Sequence, residues 1–200
     1  MKIKILLFII YLILFSFNSI AQNSERKFKI HTLAFYNLEN LFDTINDVNK
    51  NDEASPIMEI KFNRSGIYKQ KIANMAKVIS EIGYDVTNRP PTIVGICEVE
   101  NRKVVEDLIS DEKLKNYNYG IVHYESPDDR GIDVGLIFNK DVFKVKNSNS
   151  HDVFITGNNS SKRRNTRDQL VVSGLLDGEL IHIIVNHWPS RGADETKRIA

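Results

Sequence analysis

The sequence contains one cysteine, one tryptophan and five prolines among its 200 residues. A single cysteine, Cys97, excludes an intramolecular disulfide, and its position within an apolar run indicates a small buried hydrophobic residue. The chain also lacks internal repeats, so its length suits one ordinary domain. The only compositionally biased segment, residues 158–167, is rich in Ser, Asn, Lys and Arg and predicts a loop.

Neither sign of charge is in excess. The chain has 27 basic and 26 acidic residues, and removing an N-terminal segment with two lysines leaves 25 basic residues against the same 26 acidic ones. A near-neutral domain does not bind nucleic acid through bulk positive charge. Any recognition of an anion must therefore be local.

The N-terminus has the pattern of a secretory signal peptide. Lys2 and Lys4 precede an apolar run from Ile5 to Phe17, and a small-residue exit ends at Ala21. Because this run is shorter than the about 20 residues of a membrane span, we favour cleavage after Ala21 over a membrane anchor. The exit itself contains no cysteine, which argues against lipid attachment. We predict a signal peptide (residues 1–21), a polar leader (22–27) and a secreted or periplasmic domain (28–200) without stable membrane association.

The mature chain interleaves helical and strand patterns, which predicts an α/β sandwich. Apolar residues recur at helical spacing before Gly83, and this predicts a helix from Ser65 to Ile82. The continuous apolar run from Thr92 to Cys97 is typical of a strand covered on both faces. A second helix is predicted at 102–109, and loops are predicted at 43–63, 126–130 and 156–165. The other predicted strands are 28–38, 119–124, 133–138, 170–176 and 180–186.

Polar clusters follow the ends of four predicted strands. They are Asn37–Asn40, Glu98–Asn101, Arg164–Asp168 and Asn186–Arg191. An acid directly after an apolar strand suits a hard cation such as Mg²⁺, and a histidine suits hydrogen bonding or proton transfer at a phosphoryl group. Arginine adds a permanently charged fork for phosphate. Together the clusters predict metal-assisted phosphoester hydrolysis, although each residue alone is equally well a surface acid, a structural histidine or a solvated charge.

The order of these motifs resembles the endonuclease/exonuclease/phosphatase superfamily, which includes the deoxyribonuclease I type enzymes. The resemblance extends from about Phe28 to Ala200 and implies a four-layer α/β sandwich of the deoxyribonuclease I type. The matching segments are FYNLENLFD (35–43), ICEVEN (96–101), VHYESPDDRGIDVGL (122–136), RNTRD (164–168) and VNHWPSR (185–191).

The resemblance also assigns roles to individual residues. Glu98 is the expected metal ligand, and Asn37 is expected to help hold the metal or the phosphate. His187 and Arg167 are expected to stabilise charge on the phosphoryl group. The implied cofactor is Mg²⁺, with Mn²⁺ or Ca²⁺ as alternatives. The residues expected to contact substrate are Tyr124, Arg130, Arg164 and Arg191.

Two later motifs of the family, an Asp-x-Asn on the next strand and a terminal Ser-Asp-His, have no counterpart after Arg191. Because those motifs orient the attacking water, we expect this sequence to be a partial form, inactive alone and less stable than an ordinary domain of its length. The scaffold serves nucleases, inositol-phosphate phosphatases and sphingomyelinases, so the substrate stays open. A secreted nuclease or other phosphodiesterase is the first hypothesis. A non-catalytic remnant, an extracellular binding module and an adhesion domain are the alternatives.

Overall fold

The computed structural model describes residues 28–153, 155–157 and 160–189. For residues 156–157 and 160–164 it describes the backbone only. The predicted signal peptide and polar leader lie outside these ranges. Within them, no helix has the length and apolar character that crossing a membrane requires.

Strands and helices alternate through the described ranges. Short 3₁₀ turns lie at Asp52–Ala54 and Lys115–Tyr117. The helices are α1 (Pro56–Glu59), α2 (Arg64–Glu81), α3 (Tyr84–Thr87) and α4 (Arg102–Ile109). The strands are β1 (Leu33–Leu41), β2 (Ile93–Val99), β3 (Tyr119–His123), β4 (Asp133–Asn139), β5 (Phe143–His151), β6 (Ile155–Gly157), β7 (Ser160–Arg164), β8 (Gln169–Leu176) and β9 (Glu179–Val185).

The strands form two sheets and a separate hairpin. The first sheet has the order β1-β2-β4-β3, with β1 parallel to β2 and the other neighbours antiparallel. The second sheet is antiparallel and has the order β5-β8-β9, and β6 pairs with β7. The parallel pairing of β1 and β2 brings the C-terminal ends of both strands to one edge of the first sheet.

Two hydrophobic cores cover the two faces of β2, because its residues alternate between them. Val94 and Ile96 pack toward helices α2 and α4, with Ile79 and Leu108 among the fully buried neighbours. Ile93 and Cys97 instead face the second sheet. Strands buried on both faces account for the continuous apolar run in the sequence. The predicted α/β sandwich is therefore confirmed, with helices, first sheet and second sheet as successive layers in the described ranges.

Gly95 lets the second sheet approach the first near the strand ends. A Cβ at this position would lie 3.2 Å from Cγ2 of Val185 and 2.9 Å from Cδ2 of Phe35. Only glycine leaves room for this contact without displacing a neighbour. The close approach places the segment after β9, which carries His187, beside the end of β2, which carries Glu98.

Several predicted boundaries agree with the structure and others do not. Helix α4 has the predicted bounds, and α2 begins and ends one residue before the predicted helix. Strand β1 begins at Leu33 rather than Phe28 and continues to Leu41. The predicted loop at 156–165 is wrong, because most of it forms the β6–β7 hairpin. The sequence analysis missed β5, whose polar residues hide the strand pattern.

Candidate active site

Strands β1 and β2 both become irregular where their polar residues begin. Regular pairing of β1 is interrupted between Asn37 and Leu41, and Glu98 bulges out of β2 between Cys97 and Val99. Glu98 has a φ of 60°, and Asn40 has a φ of 56°. A left-handed backbone costs a non-glycine residue about 1–2 kcal/mol, so the surrounding contacts must hold these bulges in place.

Three groups from two segments, strand β1 and the segment after β9, hold the Glu98 carboxylate. Its Oε1 accepts a hydrogen bond from Nδ2 of Asn37 at 3.0 Å, and its Oε2 accepts one from the backbone N–H of Asn40 at 3.0 Å. Nε2 of His187 lies 3.1 Å from Oε1. The side chains of Glu98 and His187 are 19% and 22% exposed. These residues, Asn37, Asn40, Glu98 and His187, form what we call the Glu98 cluster, and it is open to solvent on one side.

Asn37 orients Glu98 in this arrangement. Its amide nitrogen donates to the carboxylate, and its Oδ1 accepts a hydrogen bond from the backbone N–H of Glu39 at 2.7 Å. Because the amide nitrogen points toward Glu98, the geometry gives Asn37 a positioning role. Direct ligation of a metal by Asn37 stays a prediction.

Lys71 fixes the bulge of β1 and was not singled out from the sequence. Its Nζ donates to the carbonyl oxygens of Asn40, at 2.9 Å, and of Glu39. Burial lowers the pKa of the Lys71 ammonium, while the nearby negative charges of Glu39 and Glu98 act in the opposite direction. The sequence shows Lys71 only as one of several polar residues on helix α2, so nothing distinguished it there.

His187 is set up to be neutral near pH 7. Burial lowers its pKa below the ordinary value of 6.5, and the guanidinium of Arg167 acts in the same direction, while Glu98 opposes both. With Nε2 beside a carboxylate oxygen, we assign the proton of the neutral ring to Nε2. His187 can therefore donate a hydrogen bond without carrying a charge.

Arg167 is a buried anchor for the His187 segment. Its Nη1 donates to Oδ2 of Asp128 at 3.1 Å, its Nε donates to the carbonyl of His187 at 3.2 Å, and its Nη2 donates to the carbonyl of Trp188 at 3.1 Å. The side chain is only 5% exposed. The geometry thus gives Arg167 a positioning role, and its predicted contact with phosphate stays a prediction.

The residues predicted to bind substrate have different surroundings. Arg130 is half exposed, its Nε lies 3.5 Å from Oδ1 of Asp128, and its charge contributes to the lowered pKa of His187. The Tyr124 hydroxyl contacts Ser148, and the ring is partly exposed. The side chain of Arg164 and all of Arg191 lie outside the described residues. Among the predicted substrate residues whose side chains are described, Arg130 is therefore the one whose charge acts on the pKa of His187.

Two concave surfaces adjoin the cluster. The larger has a volume of about 500 Å³ and is lined by Asn40, Arg130 and the apolar side chains of Phe42 and Ile132, among others. The smaller, about 200 Å³, includes His187 and its neighbours. The larger surface shares Asn40 with the Glu98 cluster, so a bound molecule would have room beside the cluster, whereas the smaller surface has space for only about one water molecule.

Glu100 does not share the position of Glu98. The side chain is buried, and its Oε2 accepts a hydrogen bond from the backbone N–H of Asp43 at 2.6 Å. Burial raises the pKa of Glu100 to about 7, and the charges of nearby aspartates act in the same direction. The bulge at Glu98 breaks the alternation that would have placed both carboxylates on one face. Glu98 therefore faces the cluster, while Glu100 is a buried acceptor.

We expect Glu100 to make stability depend on pH. The folded state holds a proton on Glu100 up to about pH 7, whereas an unfolded chain releases it near 4.5, so stability falls as the pH rises between these values. Glu100→Gln should therefore stabilise the protein by about 3 kcal/mol at pH 8 and change little at pH 4.5. Urea unfolding of both proteins in EDTA at the two pH values measures this. If the stability of the variant and of the wild-type protein changed equally between the two pH values, Glu100 would ionise at the same pH in the folded and the unfolded chain.

Sequence comparison identifies the family. Residues 32–199 match the sequence model of the Endonuclease/Exonuclease/phosphatase family. No curated protein matches the chain significantly.

Several solved structures are similar to the chain. An endonuclease/exonuclease/phosphatase from Bacteroides vulgatus is 14% identical, with 76% of this chain and 49% of that chain covered and a TM-score of 0.43. The human Nocturnin catalytic domain with bound sulfate is 17% identical, with 60% of this chain and 44% of that chain covered and a TM-score of 0.42. D. rerio TDP2 complexed with a single strand DNA product is 20% identical, with 61% of this chain and 42% of that chain covered and a TM-score of 0.37. This chain spans less than half the length of each of these proteins.

Proposed function

This chain belongs to the endonuclease/exonuclease/phosphatase family, and on that premise we propose that it is a divalent-metal-dependent phosphoesterase with the Glu98 cluster as its reaction centre. The observation that carries this proposal is the meeting of Glu98 and His187 at 3.1 Å, at the end of a buried strand. A carboxylate for a cation and a neutral imidazole for a phosphoryl oxygen are two of the groups that metal-assisted hydrolysis uses.

Glu98 fits a hard divalent cation. Oε2 accepts a single hydrogen bond, from Asn40, and the side chain is partly exposed, so a lone pair remains available. Mg²⁺ is typically held by one or two carboxylates together with water and substrate phosphate. When bound, Mg²⁺ or Mn²⁺ would polarise a phosphoryl oxygen and stabilise charge on the leaving oxygen.

The chain's own residues then bind and orient the phosphoryl group. His187, whose single Nε2–H faces Glu98 in this structure, would donate it instead to a phosphoryl oxygen bound at the cluster, and this bond strengthens as negative charge develops. Arg167 holds the backbone of His187 in place through its carbonyl. Asn37 and Asn40 keep the carboxylate in one orientation. Arg130, which is half exposed and lines the larger concave surface, attracts the anionic substrate.

Among phosphodiesters, we propose an external nucleic acid as the substrate and a secreted or periplasmic site of action. Trp188 directly follows His187 and is 53% exposed, and Tyr124 is 40% exposed. An exposed aromatic ring beside a phosphate site, such as Trp188 next to His187, suits stacking of unpaired bases. The near-neutral net charge is consistent with local recognition rather than with a broad basic surface.

Removal and return of the metal tests this proposal. The full-length protein, stripped with EDTA, should lose hydrolysis of bis(4-nitrophenyl) phosphate and of single-stranded DNA and RNA, and Mg²⁺ or Mn²⁺ should restore it. A nucleic-acid substrate predicts a kcat/KM for oligonucleotides at least about a hundredfold above that for the small diester, because base contacts contribute binding energy. Binding of oligonucleotides without cleavage in any metal would support a non-catalytic binding module instead.

A further inference from the structure

A second group of potential metal ligands lies at the junction of strands β3 and β4. His123 ends β3, Asp133 begins β4, and Glu125 follows β3 in the connecting loop. One ligand atom from each residue lies within 4.8 Å of the others. The antiparallel register pairs His123 with Gly135, so His123 and Asp133 project from the same face of the sheet. We call these three residues the His123 cluster, and it shares no residue with the Glu98 cluster.

Two buried atoms of the His123 cluster face each other without a hydrogen bond. Nε2 of His123 and Oδ2 of Asp133 lie 3.2 Å apart, and the two side chains are 3% and 0% exposed. Neither atom has a hydrogen-bond partner with acceptable geometry. Buried polar atoms of this kind are rare, and an ion is one recognised explanation. A cation between these atoms would satisfy the imidazole lone pair and the carboxylate oxygen together.

The other hydrogen bonds of Asp133 leave Oδ2 available. Its Oδ1 accepts from the backbone N–H of Ser126 at 2.8 Å and from the Ser126 hydroxyl at 2.6 Å. The nearby cation Lys50 donates its Nζ to the Ser126 carbonyl at 3.0 Å. Lys50 therefore balances part of the charge of the two carboxylates, and one negative charge remains when His123 is neutral.

We propose that the His123 cluster binds a second divalent cation, separate from the metal expected at Glu98. One imidazole and two carboxylates are ligands typical of Zn²⁺ and acceptable to Mn²⁺, whereas Mg²⁺ prefers oxygen ligands alone. Glu125 is exposed, so the ion has a path from solvent and Glu125 can close over it.

The position of the cluster indicates what this ion does. Ser126 follows Glu125 in the loop and bonds Asp133, and Asp128 lies two residues further along. Asp128 in turn accepts from Arg167, which holds the carbonyl of His187. A cation at the His123 cluster would fix this loop and thereby the anchor of His187. Its role is structural support of the Glu98 cluster.

Metal content in a Glu98→Gln background tests the proposal independently of hydrolysis. The full-length Glu98→Gln protein, stripped with EDTA, loaded with Zn²⁺ and freed of excess metal by gel filtration, should retain about one ion per chain. Adding Glu125→Gln should abolish retention, and adding Glu112→Gln, a change at an acid whose side chain is 82% exposed, should not. Zn²⁺ at a hundredfold excess over its Kd should raise the Tm of the Glu98→Gln protein by about 5–10 °C and leave that of Glu98→Gln/Glu125→Gln unchanged.

Glu125→Gln is the preferred variant because the residue is exposed and its replacement should not disturb folding. His123→Gln is the second variant, with cooperative thermal unfolding in EDTA as the check of the fold. Retention of Zn²⁺ by the Glu98→Gln/Glu125→Gln protein, or no retention by the folded Glu98→Gln protein, would overturn the proposal. Loss of hydrolysis in Glu98→Gln with unchanged Zn²⁺ retention would support both sites separately. Retention of Zn²⁺ in a wild-type protein without any hydrolysis would remove only the proposed function.

Discussion

Replacement of Glu98 by glutamine is expected to lower kcat for phosphodiester hydrolysis by about three orders of magnitude at a Mg²⁺ concentration that saturates the wild-type protein. Glutamine has the same shape, and its amide oxygen can still accept hydrogen bonds from Asn37 or Asn40. It lacks the negative charge that holds a hard cation, so the Lewis-acid contribution of several kcal/mol is lost. Steady-state rates with bis(4-nitrophenyl) phosphate, measured over a range of metal concentrations, give the effect on kcat and on the apparent metal affinity.

Glu100→Gln is the matched control for Glu98→Gln, because the same change is made two residues along the chain. Glu100 is a buried acceptor for Asp43 and does not bond any member of the Glu98 cluster in the described structure. Its replacement should leave kcat within a few-fold of the wild-type value at pH 7.5. A severe loss in Glu100→Gln together with a mild loss in Glu98→Gln would show that the metal role belongs to Glu100.

Replacement of His187 by alanine is the second large expected effect, a fall in kcat of about a hundredfold to a thousandfold. The loss should be greater if the imidazole also takes part in proton transfer. Arg167 bonds the backbone carbonyls of His187 and Trp188, and alanine keeps both. The fold should therefore survive the change, and the Tm should stay within a few degrees of the wild-type value.

His182→Ala is the matched control for His187→Ala. His182 lies on β9, five residues before His187, and its exposed ring contacts the Ser173 hydroxyl at 2.7 Å. Its replacement should leave both kcat and Tm nearly unchanged. If His187→Ala instead lowers the Tm while the specific activity of the folded protein is preserved, His187 is a structural histidine.

The lowered pKa of His187 predicts where the acidic limb of the pH–rate profile falls. If the neutral ring is the active form, kcat/KM should decline only below pH 6.5, because burial and Arg167 hold the pKa under that value. The Glu100 titration changes stability between about pH 4.5 and 7, a range that overlaps this limb, so the same profile measured in Glu100→Gln separates the two titrations.

The sequence predicted the members of the site better than their arrangement. Glu98 and His187 end apolar strands, and polar residues at such places stand out in a sequence. The bulges with positive φ at Asn40 and Glu98 depend on contacts with other segments, among them the bonds from Lys71, so local pattern could not predict them.

The roles of Arg167 and Asp133 could not be deduced from residue type. An arginine near a phosphate motif suggests phosphate binding, but in the fold the Arg167 guanidinium donates to three protein acceptors. In the sequence, Asp133 is only the first residue of a predicted strand. The register of β3 against β4 is what brings it to His123. Strand β5 was missed for a similar reason, because pairing with β8 rather than its own polar residues makes it a strand.

The most direct measurement of the central claim is a crystal structure of the full-length protein with Mn²⁺ and a nonhydrolysable phosphorothioate diester, with anomalous scattering used to locate the metal. The account predicts an anomalous peak within about 2.5 Å of a Glu98 carboxylate oxygen, and the phosphorothioate between this ion and Nε2 of His187. Mn²⁺ and diester bound elsewhere, with Glu98 still bonded only to Asn37, Asn40 and His187, would contradict it.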